Sequence, residues 1–262
     1  MHLNSKIITI GNTKGGSGKS TFAVLLTQYL SLKIKWKASK GFPLERIAII
    51  DLDAPQWTTN TFFGNRKKNF GEGSVIPYVV NYDISKLIYP YENFLEFLQL
   101  LKQTYNYIII DSGGHHDHIT KLAISLADIL ITPVINTLID FNVLFTYHQA
   151  NNEIVEGSYT SFVKIAKNKH KKLSWFVIPN RCSPIVHEYS KKCLHILQAM
   201  SDLIGFRVTS HILDRSLYSQ GFDLGLTCYD EGSMNLYFYN SSSALLNAQK
   251  EISLVVDNIL DI

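Results

Sequence analysis

The chain has 262 residues, 46% hydrophobic and 18% charged, which suits one large α/β domain over 1–262 with a substantial core. No apolar run approaches the roughly 20 residues that a membrane span needs, and the N-terminus enters a strand-like run at once, unlike a signal peptide. Cys182, Cys193 and Cys228 are scattered, which argues for reduced thiols and against a disulfide framework or zinc site. The net charge of +3 is uneven. A lysine-rich stretch over 164–192 suggests a polyanionic partner, and the chain turns acidic beyond Phe222.

In chain order, residues 6–10 form a short apolar run that reads as a buried strand. Phe22, Leu25, Leu26, Tyr29 and Leu30 share one face of a helix. Residues 33–42 are basic and run into Gly41 and Pro43, so they read as a surface loop. Residues 47–50 are a second buried strand, running into Asp51. Phe94, Phe97, Leu98 and Leu101 mark a helix, and 107–110 a third strand that ends at Asp111. Ile119, Leu122, Ala123 and Leu126 mark the next helix, 129–134 and 175–179 two more strands, and a last helix begins near Ser243.

Continuously apolar strands alternating with helices predict a mostly parallel twisted sheet with helices on both faces. Ligands of such sheets bind beyond the carboxyl ends of the strands. The polar residues there are Lys14 to Thr21, Asp51, Asp53, Asp111 and Asn180.

Between the first strand and helix runs Gly11-Asn12-Thr13-Lys14-Gly15-Gly16-Ser17-Gly18-Lys19-Ser20-Thr21. Gly15, Gly16 and Gly18 let backbone N–H groups turn inward as an anion nest, and the helix start adds its dipole. Lys19 suits the β- and γ-phosphates, Ser20 places a hydroxyl on Mg²⁺, and Thr21 suits a phosphate nearer the base. The agreement of strand, glycines, Gly-Lys-Ser and helix identifies a P-loop NTPase, a three-layer Rossmann-like fold. Thr13 stands where the general pattern has glycine, and Lys14 is an added lysine.

That deviant loop resembles the one of the ParA/MinD family of ATPases, and within it the MipZ-type division-plane positioning ATPases. The resemblance runs along nearly the whole chain. It is carried by Gly11-Asn12, Asp51-Leu52-Asp53 with Gln56, Phe62-Phe63, Asn65-Arg66, Thr132-Pro133, Asp140-Phe141 and Trp175. Further on it rests on Asn180-Arg181, Gly205-Phe206-Arg207, Asp214-Arg215, Tyr218, and Gly225-Leu226-Thr227 with Asp230.

The resemblance implies slow Mg²⁺-dependent ATP hydrolysis and a homodimer formed on ATP. It makes Lys14 a catalytic group acting in trans, Asp53 the residue that positions the attacking water, and Ser20, Asp53 and Asp111 the Mg²⁺ set. It assigns Asn180 to the adenine edge, and leaves Asp51 to be satisfied by backbone N–H groups. It also implies a cytoplasmic, nucleoid-associated protein with no membrane partner, binding DNA non-specifically, with a ParB-type protein and the tubulin-like division protein as partners. Lys191 and Lys192 match basic positions of the expected DNA surface, whereas Ile196 and Leu203 are apolar there.

Two departures stand out: Asp111-Ser112-Gly113-Gly114 replaces Asp-Thr-Pro-Gly, and the connection over 31–45 is longer, with Lys33, Lys35, Lys37 and Lys40 as a second basic surface. His115-His116-Asp117-His118 reads as switch-surface histidines rather than a metal cluster. Two other readings stay open: a ParA-type chromosome or plasmid partition ATPase, and a P-loop metabolic or metal-delivery ATPase. The metal-delivery kind usually needs a paired cysteine motif, which the sequence lacks, whereas the metabolic kind needs a second substrate pocket, which the sequence does not exclude. The C-terminal helix bears Glu251, Asp257 and Asp261 against Lys250, which favours core packing over membrane targeting.

Overall fold

A computed structural model describes residues 4–71, 77–82, 90–114, 117–148, 153–170, 172–185, 187–230, 232–234 and 241–261. In chain order the elements begin β1 (Lys6–Ile10), α1 (Lys19–Ser39), β2 (Ile47–Asp51), α2 (Thr58–Phe70), β3 (Tyr78–Asn81), α3 (Pro90–Lys102) and β4 (Tyr107–Asp111). They continue α4 (His118–Ser125), β5 (Ile129–Ile135), α5 (Leu138–Phe141), β6 (Phe145–His148), β7 (Glu153–Glu156) and α6 (Ser158–Lys169). Last come β8 (Ser174–Asn180), α7 (Glu188–Ile204), β9 (Arg207–Val208) and α8 (Ser242–Leu260).

Seven strands form one sheet in the order β3-β2-β4-β1-β5-β8-β9, and every pairing in it is parallel. Alternate side chains of each strand serve opposite faces. Ile8, Ile10, Ile49 and Ile109 pack with α1, α2 and α8. Ile7, Ile50, Ile108 and Ile110 pack with α3, α4, α6 and α7. Each such isoleucine contributes about 1.5–3 kcal/mol on burial. This is the predicted α/β architecture of P-loop NTPases, with β1 at its centre.

The expected loop at 33–42 is a correction. Helix α1 runs on to Ser39, and only at Gly41 does a left-handed turn (φ 88°) stop it. Ile34 remains buried one turn beyond Leu30, and Lys33 pairs with Asp257 of α8, so burial and pairing outweigh the loop-like basic composition. Lysines near a helix C-terminus also suit its dipole. The extra length over 31–45 is therefore mostly helix. Helix α8 matches its expected stripe: Leu245, Ala248, Ile252, Val255 and Ile259 are all buried.

Asp117 caps α4, accepting from the Thr120 N–H at 2.8 Å, and His118 is exposed. His115 and His116 lie outside the described residues. Among the described residues no helix is long and apolar enough to cross a membrane.

Candidate functional site

The carboxyl ends of the central strands finish level. Asp111 is in register with Ile10 on one side and Asp51 on the other. The glycine-rich loop leaves β1 at this edge and enters α1 at Gly18, which has φ 91°. A Cβ on Gly18 would lie 2.3 Å from Asn180 Nδ2, so both backbone and space demand glycine. The Asn180 amide at the end of β8 instead donates to the Ser17 carbonyl at 2.8 Å.

A buried polar relay holds the loop from beneath. Trp175 Nε1 donates to Thr132 Oγ1 (3.0 Å), which meets Tyr159 Oη (3.1 Å), and the Tyr159 hydroxyl donates to the Gly11 carbonyl (2.8 Å). With Tyr159 spending its proton on Gly11, Thr132 is the donor to Tyr159, so every proton in the chain is used once. Asn12 Nδ2 donates to the Pro133 carbonyl at 2.7 Å, and its Oδ1 accepts from the Lys14 N–H. Tyr159→Phe should therefore cost about 1–3 kcal/mol of stability without opening a cavity. Thermal unfolding checks this, and an unchanged midpoint would remove the relay as a support of the loop.

Asp51 behaves as a strand-end residue. Its carboxylate accepts from the backbone N–H groups of Asp53, Thr59 and Asn60 and from the Thr59 hydroxyl. It thereby caps α2 from a distance, since Trp57 at that helix start supplies no side-chain cap.

A cleft of about 660 Å³ opens over this edge, within the usual range for small-molecule sites. Gly15, Gly16, Gly18, Lys19, Ser20, Thr21, Asp53 and Asn180 line it, so most predicted site residues converge. Burial pushes the Lys19 ammonium below its ordinary range, while the charges of Asp111 and Asp53 pull it back up. Asp111 lies under the cleft, fully buried, with neither carboxylate oxygen hydrogen-bonded among the described residues. Burial and then the Asp51 charge push it well above the carboxylate range, against the nearby Ser20 hydroxyl and Lys19. An orphaned buried carboxylate beside a serine hydroxyl and Asp53 suits a hydrated Mg²⁺, which takes hard oxygen donors and keeps several waters. Among the described residues no group of three or more His, Cys, Asp or Glu could hold a metal by protein ligands alone.

Lys14 and Ser17 do not line the cleft. Ser17 is buried behind the loop, and the Lys14 ammonium turns away to Asp140 and, at 3.5 Å, to the Ile139 carbonyl. Asp140 belongs to α5, which Thr137 caps. The far wall of the cleft, which sequence patterns did not reveal, hangs on Glu251 of α8. Its carboxylate accepts from Arg215 Nε (2.9 Å), the Tyr218 hydroxyl (2.9 Å) and the Leu213 N–H (3.2 Å). No sequence spacing links a residue of the last helix to this wall.

The lysine-rich stretch is spread out in space. Lys167 reaches the Gly205 carbonyl at the end of α7, whereas Lys191 and Lys192 sit in its opening turns. At 1.5 Å per residue, that separates the two groups by about 20 Å.

Comparison with known proteins agrees with this geometry. Of solved structures, McdA from Cyanothece in its ATP complex superposes with a TM-score of 0.65 at 18% identity, over 99% of this chain and 97% of McdA. A putative plasmid partition protein from Borrelia burgdorferi B31 bound to AMPPNP gives 0.61 at 18% identity, over 95% and 96%. Cobyrinic acid a,c-diamide synthase from Mycobacterium smegmatis with ADP and magnesium gives 0.56 at 14% identity, over 90% and 97%. At such identities the likeness carries the fold alone. A search of curated proteins finds no match. The profile of the ATPase MipZ family, however, matches residues 6–260, so the phosphate loop, the level strand ends and the whole sheet fall within one match, and the chain belongs to the MipZ ATPase family.

Proposed function

We propose that the chain is an ATP-driven dimerisation switch that binds DNA non-specifically and positions the division machinery, built as a single domain over residues 1–262. The observation that carries this reading is the direction of Lys14. Lys19 occupies its own cleft, whereas Lys14 points out of it to Asp140. A lysine in a phosphate loop that does not serve its own nucleotide is available to a partner's. The Lys14–Asp140 pair is more than a third exposed on the lysine side, so it is worth about 1 kcal/mol at most. A partner's phosphate charge outcompetes it.

In this reading two copies close around two nucleotides with two-fold symmetry. The loop N–H groups, Lys19 and Thr21 bind the phosphates, and Asn180 leaves Ser17 for the base. Mg²⁺ would be held by the Ser20 hydroxyl, with Asp53 and Asp111 acting through water, and would neutralise the phosphate charge. Asp53 orients the attacking water, and Lys14 of each copy faces charge developing on the other copy's nucleotide. Hydrolysis removes the contacts that favour the dimer and returns Lys14 to Asp140. A partition role differs only in the partner engaged, a ParB-type or a tubulin-like division protein.

The test is mass by light scattering with Mg-ATP, paired with retention on random-sequence DNA at two salt concentrations. Wild type dimerises, Lys14→Ala stays monomeric, and Asp53→Ala holds the dimer longer and binds DNA in a salt-sensitive way. A wild-type protein that stays monomeric at high concentration with Mg-ATP overturns the switch. A dimer that ignores DNA leaves the switch and removes its track.

A further inference from the structure

The C-terminal half of α1 and the outer side of α8 enclose a second concavity of about 390 Å³, lined chiefly by Tyr29, Leu32, Trp36, Tyr229 and Leu246. Counting 17 residues from Lys19 to Trp36 along α1 places it about 25 Å from the phosphate loop. Its walls are apolar yet open to solvent: Trp36 is 60% exposed, Leu32 42% and Leu246 47%. Leu32 and Trp36 stand one helical turn apart on one wall. Leu246, Lys250 and Leu254 repeat every four residues on the other, with Leu254 64% exposed. The Tyr29 and Tyr229 rings, 5.9 Å apart, form the floor. The Tyr229 hydroxyl has no hydrogen-bond partner among the described residues.

The charged side chains that line this groove are Lys33 and Lys250. Lys33 lies 5.4 Å over the Tyr29 ring and pairs with Asp257 at 3.6 Å. Asp257 also accepts from the Tyr29 hydroxyl at 2.6 Å, so that carboxylate is already engaged. Glu251 is turned to Arg215, and Asp230 to Arg66. Lys37 and Lys40, one turn beyond Lys33 and Trp36, and Lys250 form no ion pair among the described residues. The result is an apolar trough lined by two lysines, Lys250 without an ion pair among the described residues and Lys33 sharing Asp257 with the Tyr29 hydroxyl.

We propose that this groove docks an amphipathic helix of a partner protein, its apolar ridge seated on Leu32, Trp36 and Leu246 and its acidic flanks facing Lys33 and Lys250. Two walls with one-turn spacing offer a third helix a groove for its side-chain ridge. A bilayer suits a protruding apolar surface instead, and a second copy of this chain brings the same lysines against these. A solvent-exposed tryptophan at the mouth of a pocket is the residue type that dominates such interfaces. The groove lies far from the Lys14 face, so both copies of a dimer present it.

Trp36 is also the reporter, being one of only three tryptophans. The probe is a synthetic helix of about four turns, with leucines on one face and glutamates on its flanks. The control carries lysine at every glutamate. The acidic helix should shift the protein's tryptophan emission to the blue with a saturable Kd of about 1–100 μM. Trp36→Phe should erase the shift. Leu246→Asp and Lys250→Glu, both on the exposed face of α8, should weaken binding about tenfold or more while leaving nucleotide affinity unchanged. No saturable shift, or equal binding of the lysine helix, overturns the proposal. So does a shift with phosphatidylglycerol vesicles that the acidic helix fails to give, and so does self-association that Leu246→Asp abolishes.

Discussion

Lys19→Ala is expected to weaken Mg-ATP binding by about 100- to 1000-fold, or roughly 3–4 kcal/mol, while leaving the thermal midpoint of the empty protein within a few degrees. Lys19 is 7% exposed, and its ammonium donates only at 3.3 Å to the Lys14 carbonyl among the described residues. It stands desolvated with no ion pair among the described residues, and burial depresses its proton affinity against the pull of the Asp111 and Asp53 charges. Removing it therefore relieves one buried charge. It also removes from beside Asp111 the cation that offsets its burial, an opposing loss. The two nearly cancel for stability but not for binding, where a phosphate supplies the missing counter-charge. Melting curves with and without Mg-ATP separate the two. At ligand a hundredfold over its Kd, wild type gains about 2.7 kcal/mol and moves up, and the variant stays where it was. An unaltered affinity would take Lys19 off the phosphates.

Gly225→Ala is expected to destabilise the protein by about 3–5 kcal/mol, combining left-handed strain with an overpacked contact. Gly225 has φ 73°, and a Cβ there would sit 2.3 Å from Arg66 N and 2.4 Å from Arg66 Cα. These are backbone atoms of α2, so no rotamer change relieves the clash. The same contact is tied by Arg66 Nη1 donating to the Gly225 carbonyl at 2.7 Å and by Arg66 gripping both oxygens of Asp230. At about 2–4 °C per kcal/mol, the midpoint should fall by about 6–20 °C. Gly64→Ala is the control on the same helix. No atom lies within 4 Å of its Cβ position, and the change should stabilise by about 0.5–1 kcal/mol. Equal midpoints for the two variants would mean that the loop can move off α2 at no cost.

The phosphate loop was legible in the sequence because its chemistry is local: glycines, Lys19 and Ser20 are consecutive, and their flanking strand and helix have clean periods. The five apolar strands were legible because burial on both faces makes them almost continuously apolar, with Thr9 and Thr132 as buried exceptions that hydrogen-bond internally. Asp51 was legible because a carboxylate at a strand end meets the next turn's N–H groups. Several motif residues had no local meaning, and the fold supplies it. Thr132, Trp175 and Gly11 are one relay through Tyr159, and Arg66, Gly225 and Asp230 are one lock. Such contacts join residues about 150 positions apart, where spacing carries no signal.

The elements that escaped notice were short or blurred. Strand β3 has four residues and β9 two. The β6–β7 ribbon has polar, exposed glutamates at its ends. In α7 the buried set includes Ser201, while Leu203 is 64% exposed, so the apolar stripe is interrupted on both sides. The pairing of Lys14 with Asp140 was invisible because only the crossover from β5 brings α5 beside the loop.

The central position of β1 bears on biosynthesis. Strand β1 pairs on one side with β4, which starts at Tyr107, and on the other with β5, which starts at Ile129, so both neighbours are translated about a hundred or more residues after it. The phosphate loop hangs from β1, so it has no floor until β5 has been made. At about 5–20 residues per second, the nascent N-terminal third waits on the order of ten seconds with its apolar strand unpaired. Helix α1 waits longer still, because its cover α8 follows β5 by more than a hundred residues. A chain cut short before β5 therefore lacks the floor of its phosphate loop and leaves the apolar β1 exposed.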